Sequence, residues 1–166
     1  MNKKHVIQLS IILILAAGII VFSVKYFSYK SYRDTLANSN FLKWCQEVSD
    51  ESIELAEVYS GNGQDKVAYE LTVEDKTQLI KVLREISPVD LSLSKGATDS
   101  NADGVNLYLR CRNGIEYLFK YTSETSTKAA VVTTEENHDE FGDRNGLFVE
   151  NPSLNSFIIA LDPRKP

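Results

Sequence analysis

Apolar residues run without a charge from Val6 to Val24, interrupted only by the polar Gln8, Ser10 and Ser23. As a helix at about 1.5 Å per residue, those positions reach about 28 Å, close to the hydrocarbon thickness of a bilayer. The pattern predicts a transmembrane anchor over 6–24, preceded by a short basic tail over 1–5 that stays cytoplasmic. A cleaved signal would need a shorter apolar run ending in a small-residue site. Ala16-Ala17-Gly18 falls inside the run and Ser23 offers a later cut, so the retained anchor is the favoured reading. Tyr26, Phe27, Tyr29 and Tyr32 follow at the level where aromatic rings suit the headgroup region. Residues 25–39 are expected to continue the helix or to form a juxtamembrane stalk.

Downstream the periodicity changes repeatedly, which predicts one α+β domain over 40–166 with a mainly antiparallel sheet packed by two or three helices. Phe41, Trp44, Cys45 and Val48 recur at helical spacing, so 40–48 reads as a helix. Ser52 to Tyr59 reads as a strand, Ser60-Gly61-Asn62-Gly63 as a turn, and Val67, Tyr69 and Leu71 as the returning strand. Thr72 and Asp75 form a capping box for a helix carrying Leu79, Val82, Leu83 and Ile86, with Pro88 as its stop.

The hairpin from Val105 to Tyr121 is the best-specified element. A two-residue Asn113-Gly114 turn would set Cys111 against Glu116 and Leu107 against Lys120, mixing apolar with charged groups on one face. A three-residue turn, Arg112-Asn113-Gly114 with Gly114 left-handed, sets Cys111 against Ile115, Leu109 against Tyr117, Leu107 against Phe119 and Val105 against Tyr121. It also brings Arg110 opposite Glu116 on the outer face. Ala129 to Thr133 and Gly146 to Val149 read as further strands. Asn151-Pro152 caps a last helix bearing Leu154, Phe157, Ile158 and Leu161, which Asp162-Pro163 ends.

Charge narrows the function. Beyond residue 24 there are 16 Lys and Arg against 23 Asp and Glu, a balance of −7. That argues against nucleic acid and against docking on anionic lipid. With the basic tail inside, the domain lies outside the cytoplasm, where Cys45 and Cys111 are permitted to form a disulfide. Closing that long loop would contribute about 4 kcal/mol in the chain-entropy model; two buried free thiols are the alternative.

Three stretches carry candidate chemistry. Asp99-Ser100-Asn101-Ala102-Asp103-Gly104 resembles the first half of an EF-hand loop, which implies Ca2+ held by Asp99, Asn101 and Asp103. The second half departs, with Arg110 where the closing Glu would stand and Asn106 at position eight. Glu135-Glu136-Asn137-His138-Asp139-Glu140, with Asp143, is either a solvated acidic loop or, with the Asp99 segment, a cation-binding or hydrolytic site. Ser92-Leu93-Ser94-Lys95 matches the Ser-x-x-Lys tetrapeptide of penicillin-binding enzymes without their accompanying motifs. No phosphate-binding loop, dinucleotide fingerprint or nucleophile elbow is present.

A hydrophobic amino-terminal helix followed by a small head is similar in outline to pseudopilins, which implies a structural subunit. The chain lacks a prepilin-type processing site and a Glu near the start of the apolar run. The reading that follows is a single-pass, membrane-anchored, non-catalytic extracytoplasmic domain. It binds a protein or envelope component and carries no cofactor, Ca2+ being the exception the Asp99 loop would make.

Overall fold

A computed structural model describes residues 3–61, 66–95, 104–121, 128–133 and 145–164. The chain divides into two compact units, the first ending at Ala37 and the second beginning at Asn38.

The first unit is helix α1, Lys3–Ala37. It needs no break because residues 3–37 contain neither Pro nor any Gly except Gly18. Within Ile11–Ala37 an 18-residue window has a mean hydropathy of 2.2, and the helix is long and apolar enough to cross a membrane. Phe22 is 72% exposed and Ile14 71%, so the apolar surface is unspent within the chain. Of the two expectations for 25–39, continuation of the helix or a stalk, the helix continues as far as Ala37.

The second unit is an α+β domain built on seven strands: β1 Ile53–Ser60, β2 Val67–Glu70, β3 Leu91–Lys95, β4 Val105–Cys111, β5 Glu116–Tyr121, β6 Ala129–Thr133 and β7 Asn145–Val149. They form one sheet in the order β2-β1-β4-β5-β6-β7-β3, with every neighbouring pair antiparallel. Among the described residues the α-helices of the domain are α2 Asn40–Glu47, α3 Val73–Arg84 and α4 Pro152–Ala160. The chain crosses the whole sheet once, between β2 at one edge and β3 at the other with α3 on the way, and then re-enters it in the interior as β4.

Alternation decides which sheet face is covered. Ala56, Val58, Leu107, Leu109, Phe119, Val131 and Leu147 align in register across five strands, and all are buried. Burying a side chain the size of Leu107, Leu109 or Phe119 contributes about 1.5–3 kcal/mol each. Phe41 of α2 lies 6.0 Å from both Tyr117 and Phe119, and α4 packs against β4 while α3 packs against both other helices. On the opposite face Tyr59, Tyr108, Leu118 and Val132 are only partly buried.

The β4–β5 hairpin adopts the three-residue turn. Leu109 pairs with Tyr117 and Leu107 with Phe119, Cys111 N–H donates to the Ile115 carbonyl at 2.8 Å, and Gly114 has φ of 89°. Arg110 does stand opposite Glu116 in register, yet its guanidinium forms an ion pair with Glu54 of β1, Nε to Oε2 at 3.2 Å. A bulge between Ile53 and Leu55 brings Glu54 there.

Both helix starts follow the expected chemistry. Thr72 Oγ1 accepts from Asp75 N–H at 3.2 Å while Asp75 Oδ2 accepts from Thr72 N–H at 3.1 Å. Asn151 Oδ1 accepts from Leu154 N–H at 3.0 Å. One strand went unforeseen. The Ser92-Leu93-Ser94-Lys95 tetrapeptide lies in edge strand β3, paired antiparallel with β7.

Candidate functional site: a cleft between α2 and the β4–β5 hairpin

Helix α2 begins at Ser39, whose hydroxyl accepts from Leu42 N–H at 3.2 Å. Its apolar stripe does two jobs. Phe41 and Cys45 face the core and are at most 2% exposed, whereas Trp44 sits at the margin, half-buried. There its ring stacks on Tyr117 of β5, centroids 3.9 Å apart and planes 25° from parallel. Two aromatic faces in offset contact contribute about 0.5–1.5 kcal/mol beyond their burial.

The helix ends at Val48, whose carbonyl accepts two hydrogen bonds from Arg84 of α3, from Nε at 3.0 Å and Nη2 at 2.7 Å. A cation at a helix carboxyl terminus meets the negative end of the macrodipole. The chain then turns through Ser49 and Ser52, whose hydroxyls are 2.9 Å apart, and the Ser52 carbonyl accepts from Arg112 N–H at 3.0 Å. These bonds fix the end of α2 and the hairpin tip at a constant separation.

Between them lies a cleft of about 590 Å³. Trp44, Val48, Cys111, Ile115 and Tyr117 give it an apolar floor, and Asn40, Lys43, Glu47, Ser52, Arg112 and Asn113 a polar rim. Lys43, Glu47, Arg112 and Asn113 are exposed and reach solvent. Cys111 carries the floor's nucleophilic atom. Burial pushes its thiol pKa up, and a hydrogen bond with Trp44 opposes the shift in part. A thiol held protonated is a poor nucleophile. The arrangement suits recognition of an apolar group with polar flanks.

Both cysteines are buried and free. Cys45 and Trp44 are consecutive, so about 100° of helical rotation separates them, and the side chain that meets Cys111 is Trp44. The disulfide expected as one alternative is thus not what the structure holds. Burial holds the Cys45 thiol well above the usual range.

Asp99, Asn101 and Asp103 of the EF-hand-like segment lie outside the described residues, as do 134–144 with the acidic loop and His138. Among the described residues no three His, Cys, Asp or Glu side chains gather where a metal could be held. Sequence reasoning placed Trp44 and Tyr117 on apolar faces but missed the cleft, because nothing in either period says that the two faces meet at an open edge. No known protein-family model matches the chain, and neither does any curated protein or any solved structure.

Proposed function

We propose that this chain is a single-pass membrane protein whose α+β domain lies outside the cytoplasm and binds a protein or cell-envelope component without catalysing a reaction. The cleft between α2 and the β4–β5 hairpin is the recognition site. The observation that carries the reading is the composition of that cleft: a stacked Trp44–Tyr117 floor beneath a rim of Lys43, Glu47, Arg112 and Asn113. A half-buried Trp stacked on a buried Tyr and ringed by polar groups has the usual makings of a binding hot spot. In this reading the apolar face of α1 is spent in the bilayer, and the short Lys3-Lys4 tail stays on the cytoplasmic side.

The rim chemistry defines the partner's class. Lys43 and Arg112 offer two cationic groups against the single carboxylate of Glu47. An apolar side chain beside a carboxylate matches floor and rim together, as in a folded or extended protein segment. The test is co-purification of the full chain, gently solubilised from its native membranes, beside a Trp44→Ala and an Arg112→Glu variant. A stoichiometric companion retained by the parent and lost by both variants supports the reading. A companion retained by both places recognition elsewhere.

A further inference from the structure

Strand β2 ends the sheet, and its backbone direction is fixed by its partner. Leu71 N–H donates to the Ala56 carbonyl at 2.9 Å, and Tyr69 and Val67 stand opposite Val58 and Ser60. Backbone groups alternate in direction along a strand, so 67, 69 and 71 point toward β1 while 66, 68 and 70 point outward. Lys66, Ala68 and Glu70 are all exposed. The edge contains no Pro and carries no bulge, two of the devices that usually discourage pairing.

We propose that two copies of this chain associate edge to edge through β2, the strands running antiparallel about a two-fold axis at Ala68. In that register the outward groups of Ala68 meet those of its own counterpart, and Lys66 meets Glu70 of the second copy at both ends. About six inter-chain backbone hydrogen bonds result. Side chains agree with backbone: Lys66, Ala68 and Glu70 share the helix-free face, so the two ion pairs form there, and Val67 meets Tyr69 on the other. Moving the axis to Lys66 or to Glu70 would set like charges opposite one another. Moving it to Val67 or to Tyr69 would leave Glu70 without Lys66. Charge therefore selects Ala68.

A second observation marks the same edge as incomplete. Glu70 stands directly opposite Glu57 of β1, a like-charge cross-strand pair. The chain's own Lys66 lies 3.7 Å from Glu57, with its ammonium 4.3 Å from the Tyr59 ring centroid. Among the described residues Glu70 has no cationic partner, and Lys66 of a second copy supplies one by swinging from its own exposed Glu57 and Tyr59 contacts. On the helical side, a groove of about 440 Å³ between β2 and the end of α4 is walled by Leu161 and Pro163. It accommodates the Val67 side chain of the second strand, Val67 being 48% exposed in the single chain, while each Tyr69 stays with its own chain, its hydroxyl donating to Asp75 Oδ2 at 2.8 Å.

The test uses the full chain in proteoliposomes with Ala68→Cys, oxidised with diamide. Directly opposed residues of a hydrogen-bonded pair have Cα atoms about 5.5 Å apart, within disulfide reach. Cys45 and Cys111 are buried, so the parent protein is the blank, and Val73→Cys, 73% exposed on α3, is the control for random collision. The expected result is a covalent dimer at position 68 well above that at position 73. Adding Glu70→Lys should cut the yield about fivefold, since turning each of the two attractive pairs into a like-charge pair costs about 0.5 kcal/mol. Adding Lys66→Glu as well should restore it. Equal yields at 68 and 73, no dimer at 68, or indifference to Glu70→Lys would overturn the proposal.

Discussion

Trp44 and Tyr117 lie 73 positions apart in sequence and stack with ring centroids 3.9 Å apart, joining the first helix of the domain to the central hairpin. The contact both supports the fold and roofs a thiol, which separates its structural from its chemical consequences. Trp44→Ala should destabilise the domain by about 2–3 kcal/mol, below the range for a fully buried Trp because the ring is half exposed. It should also open Cys111 to maleimide. Chemical denaturation and the thiol-labelling rate measure the two effects. Trp44→Phe keeps most of the stack but removes the hydrogen bond to sulfur. The Cys111 pKa should then rise further, and labelling should become slower than in the parent.

The two cysteines give a direct count. Under native conditions both thiols should resist a maleimide reagent, and under denaturing, non-reducing conditions mass spectrometry should find two adducts per chain, since both are buried and free. No adducts after denaturation would mean that a disulfide forms and that α2 rotates to allow it.

Asp162 is buried at the end of α4, and its carboxylate ties that end to β1. Oδ1 accepts from Ser60 Oγ at 3.1 Å and from Arg164 N–H and Nε at 3.0 Å each, and Oδ2 accepts from Arg164 Nη2 at 2.9 Å. The Arg164 hydrogen bond is the main cause that holds the carboxyl below its ordinary pKa. A folded value below the unfolded one means that the group stabilises the fold fully above about pH 4 and less as pH falls through the folded value. Asp162→Asn should cost about 1–3 kcal/mol at neutral pH. Its urea midpoint should also fall less steeply with acidification than that of the parent.

Gly114 isolates a backbone effect. Its φ of 89° is left-handed, and a Cβ built there meets nothing within 4 Å. Gly114→Ala should therefore cost about 1–2 kcal/mol through conformation alone, and Gly114→Asn clearly less. Thermal melts of the two variants suffice, and an equal cost for both would mean that the turn changes type.

Where local chemistry determines an element, the sequence was readable. The Thr72–Asp75 box, the Asn151-Pro152 start and the three-residue hairpin turn each follow from side chains within a few positions of one another, and each stands in the structure as expected. The α+β class followed from the same local signals. Strand β3 was missed because the alternation Leu91-Ser92-Leu93-Ser94 lasts only two periods and its partner, β7, lies fifty or more positions on. The cleft was missed for a related reason: periodicity assigned Trp44 and Tyr117 to buried faces, and only tertiary packing decides which buried residue lies at an opening. Arg110 shows the same limit at one side chain, since its register was legible and its ion-pair partner depended on a bulge in another strand.

The central claim, that the cleft beside α2 is where a partner binds, is tested most directly by site-specific photocrosslinking in native membranes. A benzophenone side chain is placed at Glu47 on the rim and, in a separate chain, at Val89, which is 77% exposed and outside the cleft. The account predicts a discrete adduct from position 47 that position 89 does not give and that Trp44→Ala abolishes. The same adducts from both positions, or an adduct at 47 indifferent to Trp44→Ala, would contradict it.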